Sequence, residues 1–77
     1  MNGRMADALL YLDRMKTDAP DIFQLLSRKD LADFAGISTE SGVKLLKTFE
    51  KEGLISLHEK DIEVIGHKAL GEISRRG

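Results

Sequence analysis

The sequence predicts a mostly α-helical domain with one small β-hairpin: a three-helix core, the hairpin behind it, and a short helix at the C-terminal end. Three observations carry this prediction. Residues Ser38 to Gly53 form a capped amphipathic stretch, a short capped segment and a glycine turn stand directly before it, and after Gly53 the hydrophobic period changes from helical to extended.

The first helix runs from Gly3 to about Met15. Met5, Ala8, Leu9, Leu12 and Met15 make an apolar stripe at helical spacing, with Arg4, Asp7, Asp13 and Arg14 outside it. Leu10 and Tyr11 widen the stripe, so this helix is expected to touch more than one neighbour, within the core or at a docking surface. Thr17 to Asp21 collects turn formers and the only proline, and reads as a loop. Ile22-Phe23-Gln24-Leu25 is apolar with one polar break and short, which predicts a strand or extended segment that pairs with a later hairpin.

Ser27-Arg28-Lys29-Asp30 is a capping-box-like start, with Asp in place of the usual Glu or Gln, directly before Leu31-Ala32-Asp33-Phe34-Ala35. This second helix is about two turns long and Gly36 stops it. Ser38 caps the third helix, Glu40 adds a negative charge to its first turn, and Gly53 stands where a left-handed residue ends it. Gly42, Leu45, Leu46 and Phe49 share its packing face; Glu40, Val43, Lys44, Lys47 and Lys51 share the other. A short helix, a glycine turn and a longer helix make a helix-turn-helix, whose second member lies in the DNA major groove where the motif is used to read DNA.

Beyond Gly53, Leu54 to His58 and Ile62 to Ile65 are rich in β-formers and joined by Glu59-Lys60-Asp61, the pattern of a hairpin. A hairpin directly behind a helix-turn-helix is the wing of a winged helix. Gly66 separates a last short helix, His67 to about Arg75, with Ala69, Leu70 and Ile73 inward and Arg75-Arg76 near its C-terminal dipole.

Length and composition bound the function. Seventy-seven residues suffice for one domain, 1–77, with a modest core. No apolar run approaches a membrane span and no basic-then-apolar signal opens the chain, so it reads as cytoplasmic. Zero cysteines exclude disulfides, thiolate catalysis and sulfur-ligated zinc, and His58 and His67 lack a neighbouring ligand set with metal-site spacing. No nucleophile–base pair or phosphate loop is visible, so neither an enzyme nor a cofactor or metal is expected. The formal net charge of −1 argues against nucleic acid, since a free-standing DNA-binding domain is usually basic. A specific reader needs only a local basic face, and a dimer doubles a weak footprint.

Gly3-Arg4-Met5-Ala6 with Leu9-Leu10, Ser27 to Ala32, Gly36 to Glu40, and Leu46-Lys47 with Glu50 and Gly53-Leu54-Ile55 together form a fairly specific pattern. With it the chain, from Asn2 through Gly66, resembles the C-terminal winged helix-turn-helix DNA-binding domain of the Crp/Fnr (catabolite activator) transcription regulators. The resemblance implies a double-stranded operator or promoter as partner, RNA polymerase as a further one, and an output domain of a larger regulator. Full-length members carry an N-terminal cyclic-nucleotide-binding-like barrel and a dimerisation helix. The parent would then be a homodimer and this chain alone a monomer with weak half-site binding.

The resemblance also implies site residues. The third helix, about 39–52, would lie in the major groove with Thr39, Glu40, Val43 and Lys44 towards the bases. Glu40 stands where members typically hold a base-reading Glu, and a carboxylate can accept from the cytosine amine. Lys44 stands where Arg is usual and Thr39 where some members have Arg, so an altered base preference is expected. Val43 would touch a thymine methyl or pack at the edge of the core. Arg28, Lys29, Ser38, Ser41, Lys47, His58 and Lys60 are the phosphate-contact candidates, Arg28, Ser38 and Ser41 also because helix N-termini favour phosphate. Gly42, where the family usually has an apolar side chain, is expected to allow close approach of the second helix. Glu59 brings a negative charge to the wing tip, and with the near-neutral net charge it suits an alternative: a winged helix serving as a protein-interaction or dimerisation module.

Overall fold

The computed structural model describes residues 2–76. In chain order they form α1 (Asn2–Met15), α2 (Ile22–Leu25), α3 (Arg28–Ala35), α4 (Thr39–Lys51), β1 (Ile55–His58), β2 (Asp61–Val64) and α5 (His67–Arg76). The expected first, second and third helices are α1, α3 and α4, and the two strands pair antiparallel behind them. The fold is a winged helix-turn-helix.

Helix α1 runs through the middle, packed against α2, α3, α4, α5 and β2. Its stripe of Met5, Leu9 and Leu12 is buried, and Phe23, Leu31, Leu46, Phe49, Ile55, Ile62 and Leu70 close around it. Each such large side chain contributes about 1.5–3 kcal/mol of transfer free energy. Met15 does not complete the stripe. It sits where α1 runs into the turn at Lys16 and is 39 % exposed. Leu10 is half-buried, and Tyr11, exposed on its outer side, sets its ring against Phe34 of α3 at 5.6 Å between centroids.

The expected strand at Ile22–Leu25 is one turn of helix. Its amides bond locally, Gln24 and Leu25 both to the Asp21 carbonyl at 2.9 and 3.2 Å, so no backbone edge is offered to the hairpin. Four apolar residues with one polar break satisfy either period, and burial of Phe23 against the core, with the Lys16 ammonium 5.0 Å above its ring, decides for the helix. Leu25 is consequently left on the surface, 68 % exposed.

The caps are local and form as the residues dictate. Ser27 accepts from the Asp30 amide at 3.0 Å while Asp30 accepts from the Ser27 amide at 3.1 Å, a complete capping box with the shorter acid. Gly36 and Gly53 both take φ of 76°, the left-handed conformation that glycine adopts without steric cost, and so turn the chain out of α3 and α4. The hairpin turn is tighter than expected. His58 pairs with Asp61, leaving the two residues Glu59 and Lys60 at the tip, Glu59 with a left-handed φ of 51°.

Helix α5 lies along α1. Leu70 is buried, Ala69 and Ile73 are half-buried, and two polar contacts fasten it: His67 hydrogen-bonds Asp13 at 2.8 Å, and Ser74 donates to Asp7 at 3.3 Å.

Candidate nucleic-acid interface

The N-terminal half of α4 forms the centre of the site. Gly42 decides how it sits, since a β-carbon there would come 3.0 Å from that of Ala32 and 3.3 Å from the Met5 methyl. Helix α4 therefore crosses α3 at close range, as the packing reading of Gly42 required. Gly42, Leu46 and Phe49 are buried, which turns Thr39, Glu40, Lys44 and Lys47 outward to solvent, with Val43 half-buried at the edge of the core.

At the first turn the Ser38 hydroxyl accepts from the Ser41 amide at 3.2 Å and donates to the Ser41 hydroxyl at 3.0 Å. This cap leaves the Ser41 hydroxyl proton available to an outside acceptor, beside the positive end of the helix dipole. Glu40 and Lys44, one turn apart, form an ion pair at 3.2 Å while both side chains are about three-quarters exposed. A pair so exposed opens at little cost, so both groups can turn to a ligand.

The N-terminal end of α3 supplies a second set. The Arg28 guanidinium donates to the Glu59 carbonyl at 3.2 Å, tying this helix to the wing tip. Arg28 and Lys60 thereby line one open cleft of about 360 Å³, floored in part by the exposed Leu25. Lys29 is paired with Asp33 of its own helix at 2.9 Å; that hydrogen bond and charge raise its pKa above the ordinary lysine value. Asp30 is held below the ordinary aspartate value by the backbone and hydroxyl hydrogen bonds of Ser27.

On the wing, His58 meets Glu63 of the partner strand at 3.3 Å. The fold thus brings Ser38, Thr39, Glu40, Ser41, Lys44 and Lys47 onto one helix end and face, and Arg28 and Lys60 into one cleft. It engages Lys29 with a carboxylate of its own helix and His58 with one of the partner strand. The arrangement suits recognition of an anionic, hydrogen-bonding surface through helix-end amides, hydroxyls and cations. Among the described residues no group of His, Asp and Glu is placed to hold a metal ion, and no helix is long and apolar enough to cross a membrane.

Two contacts beside the site were not foreseen. Glu50 of α4 accepts from the Leu57 amide at 3.3 Å, and Lys16 donates to the Ile62 carbonyl at 2.6 Å. Glu50 belongs to the pattern that carries the family resemblance, but the acceptor it provides serves a backbone amide, and no side-chain pattern marks that partner.

The sequence pattern of the Crp-like helix-turn-helix domain matches residues 3–73. Over 69 residues the chain is 36 % identical to the cAMP-activated global transcriptional regulator CRP of Pasteurella multocida (strain Pm70), an alignment that covers 86 % of this chain and 33 % of that protein. The chain spans about a third of the length of this curated relative. With the helix-turn-helix, wing and near-complete family match in agreement, the chain belongs to the Crp-like helix-turn-helix domains, a family of DNA-binding transcription regulators and not of enzymes.

Proposed function

We propose that this chain binds double-stranded DNA sequence-specifically, in the cytoplasm, with α4 in the major groove. Thr39, Glu40, Val43 and Lys44 read base edges; Arg28, Lys29, Ser38, Ser41, Lys47, His58 and Lys60 meet phosphates. The observation that carries the reading is the orientation of α4: its Gly42–Leu46–Phe49 face is sealed in the core, and the capped N-terminal end opposite is open and polar. The Lys44 ammonium offers a point charge, so its base preference is looser than that of a guanidinium fork. His58 and Lys29 reach phosphate only by leaving their carboxylates, which makes them the weaker contacts.

In this reading the chain is the DNA-binding output domain of a larger regulator that acts as a homodimer and works with RNA polymerase. Alone it is a monomer with weak half-site affinity, because tight binding needs two half-sites one helical turn apart. Sedimentation at micromolar concentration checks this, and a stable dimer refutes it.

A second reading, a winged helix that binds protein, draws on the closed Glu40–Lys44 pair, the Glu59 side chain at the wing tip and the net charge of −1. A low-salt titration against a randomised-duplex pool separates the two. The groove reading expects selected sequences, a changed base preference in Glu40→Ala, and uniformly weaker binding in Lys47→Ala with a log–log salt slope reduced by about one. Absence of both selection and salt-sensitive binding supports the protein-binding module instead.

A further inference from the structure

The wing is the smallest element of the fold, and two strands alone are marginal in water. With a two-residue turn, the His58–Asp61 pair closes the ladder, so the next pair, Leu57 and Ile62, turns its backbone groups away from the partner strand. Those outward groups are met by side chains. The Leu57 amide donates to Glu50 Oε2 at 3.3 Å, and the Ile62 carbonyl accepts from Lys16 Nζ at 2.6 Å. At the tip, Arg28 donates to the Glu59 carbonyl at 3.2 Å. The hairpin is thus tied through its own backbone to α4, to α3 and to the turn that follows α1.

Glu50 is the tie of interest. It lies three residues beyond Lys47 and seven beyond Val43, hence on the outward face of α4. A carboxylate there faces the same phosphates that Lys47 would bind, and repulsion alone would weaken binding. Its side chain instead serves the edge of β1, which continues towards His58 and Lys60.

We propose that Glu50 is a positioning residue for DNA binding: by accepting from the Leu57 amide it holds the wing at a set angle to α4, so that Lys60 and Arg28 reach phosphate while α4 sits in the groove. This rests on the groove reading given above. Its consequence is that a negatively charged residue beside the interface raises affinity without touching DNA.

Glu50→Ala and Glu50→Gln separate position from charge, because both remove the same charge while glutamine keeps an acceptor oxygen at the same reach. In the free chain, hydrogen exchange of the Leu57 amide should accelerate by about fivefold to tenfold in Glu50→Ala and stay near wild type in Glu50→Gln, with the Leu46 amide unchanged as the control for folding. In duplex binding, Glu50→Ala should lower the log–log salt slope by about one and leave the selected bases unaltered. Lys60→Ala should then add nothing in that background, and Glu50→Gln should keep the wild-type slope. Equal, tightened binding by both variants would show that Glu50 acts only by repulsion and overturn the proposal. So would unchanged Leu57 exchange in Glu50→Ala. If the wild-type chain binds no duplex, the groove reading falls and the DNA role of Glu50 with it, while the exchange result still decides whether the tie exists.

Discussion

Helix α4 and the wing flank the same face, yet they are held by different forces. Helix α4 is set by apolar packing: Leu46 and Phe49 are buried and Gly42 lies against Ala32. The wing anchors one row of side chains, Ile55, Ile62 and Val64, in the core, but its outward backbone groups are met by Glu50, Lys16 and Arg28. Close packing has no intermediate positions, because a displaced helix loses many contacts at once. A hydrogen bond from a solvent-accessible side chain can break and reform with water at a net cost of about 1 kcal/mol. The orientation of α4 is therefore set by the core as a whole, and that of the wing by a few hydrogen bonds that single substitutions remove.

The sharpest way to break this contrast is to overpack the helix crossing. Gly42→Leu should destabilise the domain by about 1–3 kcal/mol, since the side chain enters a space already filled by Ala32 and Met5. Thermal or urea unfolding measures this, and a raised melting temperature would end the packing account of Gly42. A gentler test is on the wing. Lys16→Met removes the donor to the Ile62 carbonyl, together with the ammonium above the Phe23 ring and the charge 3.7 Å from Asp61, and should cost about 1–2 kcal/mol. Exchange at β2 amides should quicken more than exchange at α4; equal quickening would mean that the wing is as tightly coupled to the core as α4 is.

The smallest effect is expected at the start of α3. Because Ser27 holds the Asp30 pKa below its ordinary value, this contribution is fully present above the ordinary aspartate range and is lost as pH falls through the lowered folded-state value. Asp30→Asn, which keeps an acceptor for the Ser27 amide but not the charge, should lower neutral-pH stability slightly and so flatten the acid limb, with the two proteins converging at low pH. An acid limb of the same slope in both proteins would show that the capping box does not titrate as described.

Much of the fold was legible because its signals are short-range. Ser27, Ser38, Gly36 and Gly53 act on neighbours within a few residues, so caps and turns follow from the order of residues alone. The hairpin was equally visible, its turn misjudged by one residue at Asp61. Ile22–Leu25 was misread because four residues cannot distinguish a period of 2 from one of 3.6, and the burial of Phe23 that decides the matter depends on partners far along the chain. Of the site, the composition of the α4 face was readable, and the engagement of Lys29, His58 and Arg28 was not. Lys29 and Asp33 are spaced for an ion pair, but whether such a pair closes depends on the surrounding surface.

The amino-acid order by itself determined α1, α3, α4 and α5, the caps of α3 and α4, the glycine turns, the hairpin and the polar face of α4, since each arises from local backbone preference and hydrophobic period. The tertiary structure alone decided the helical state of Ile22–Leu25 and the joining of Arg28 and Lys60 at one cleft. It also decided the tie from Glu50 to the wing. All three depend on groups brought together by the core, and the tie on a backbone amide that no side-chain pattern can announce.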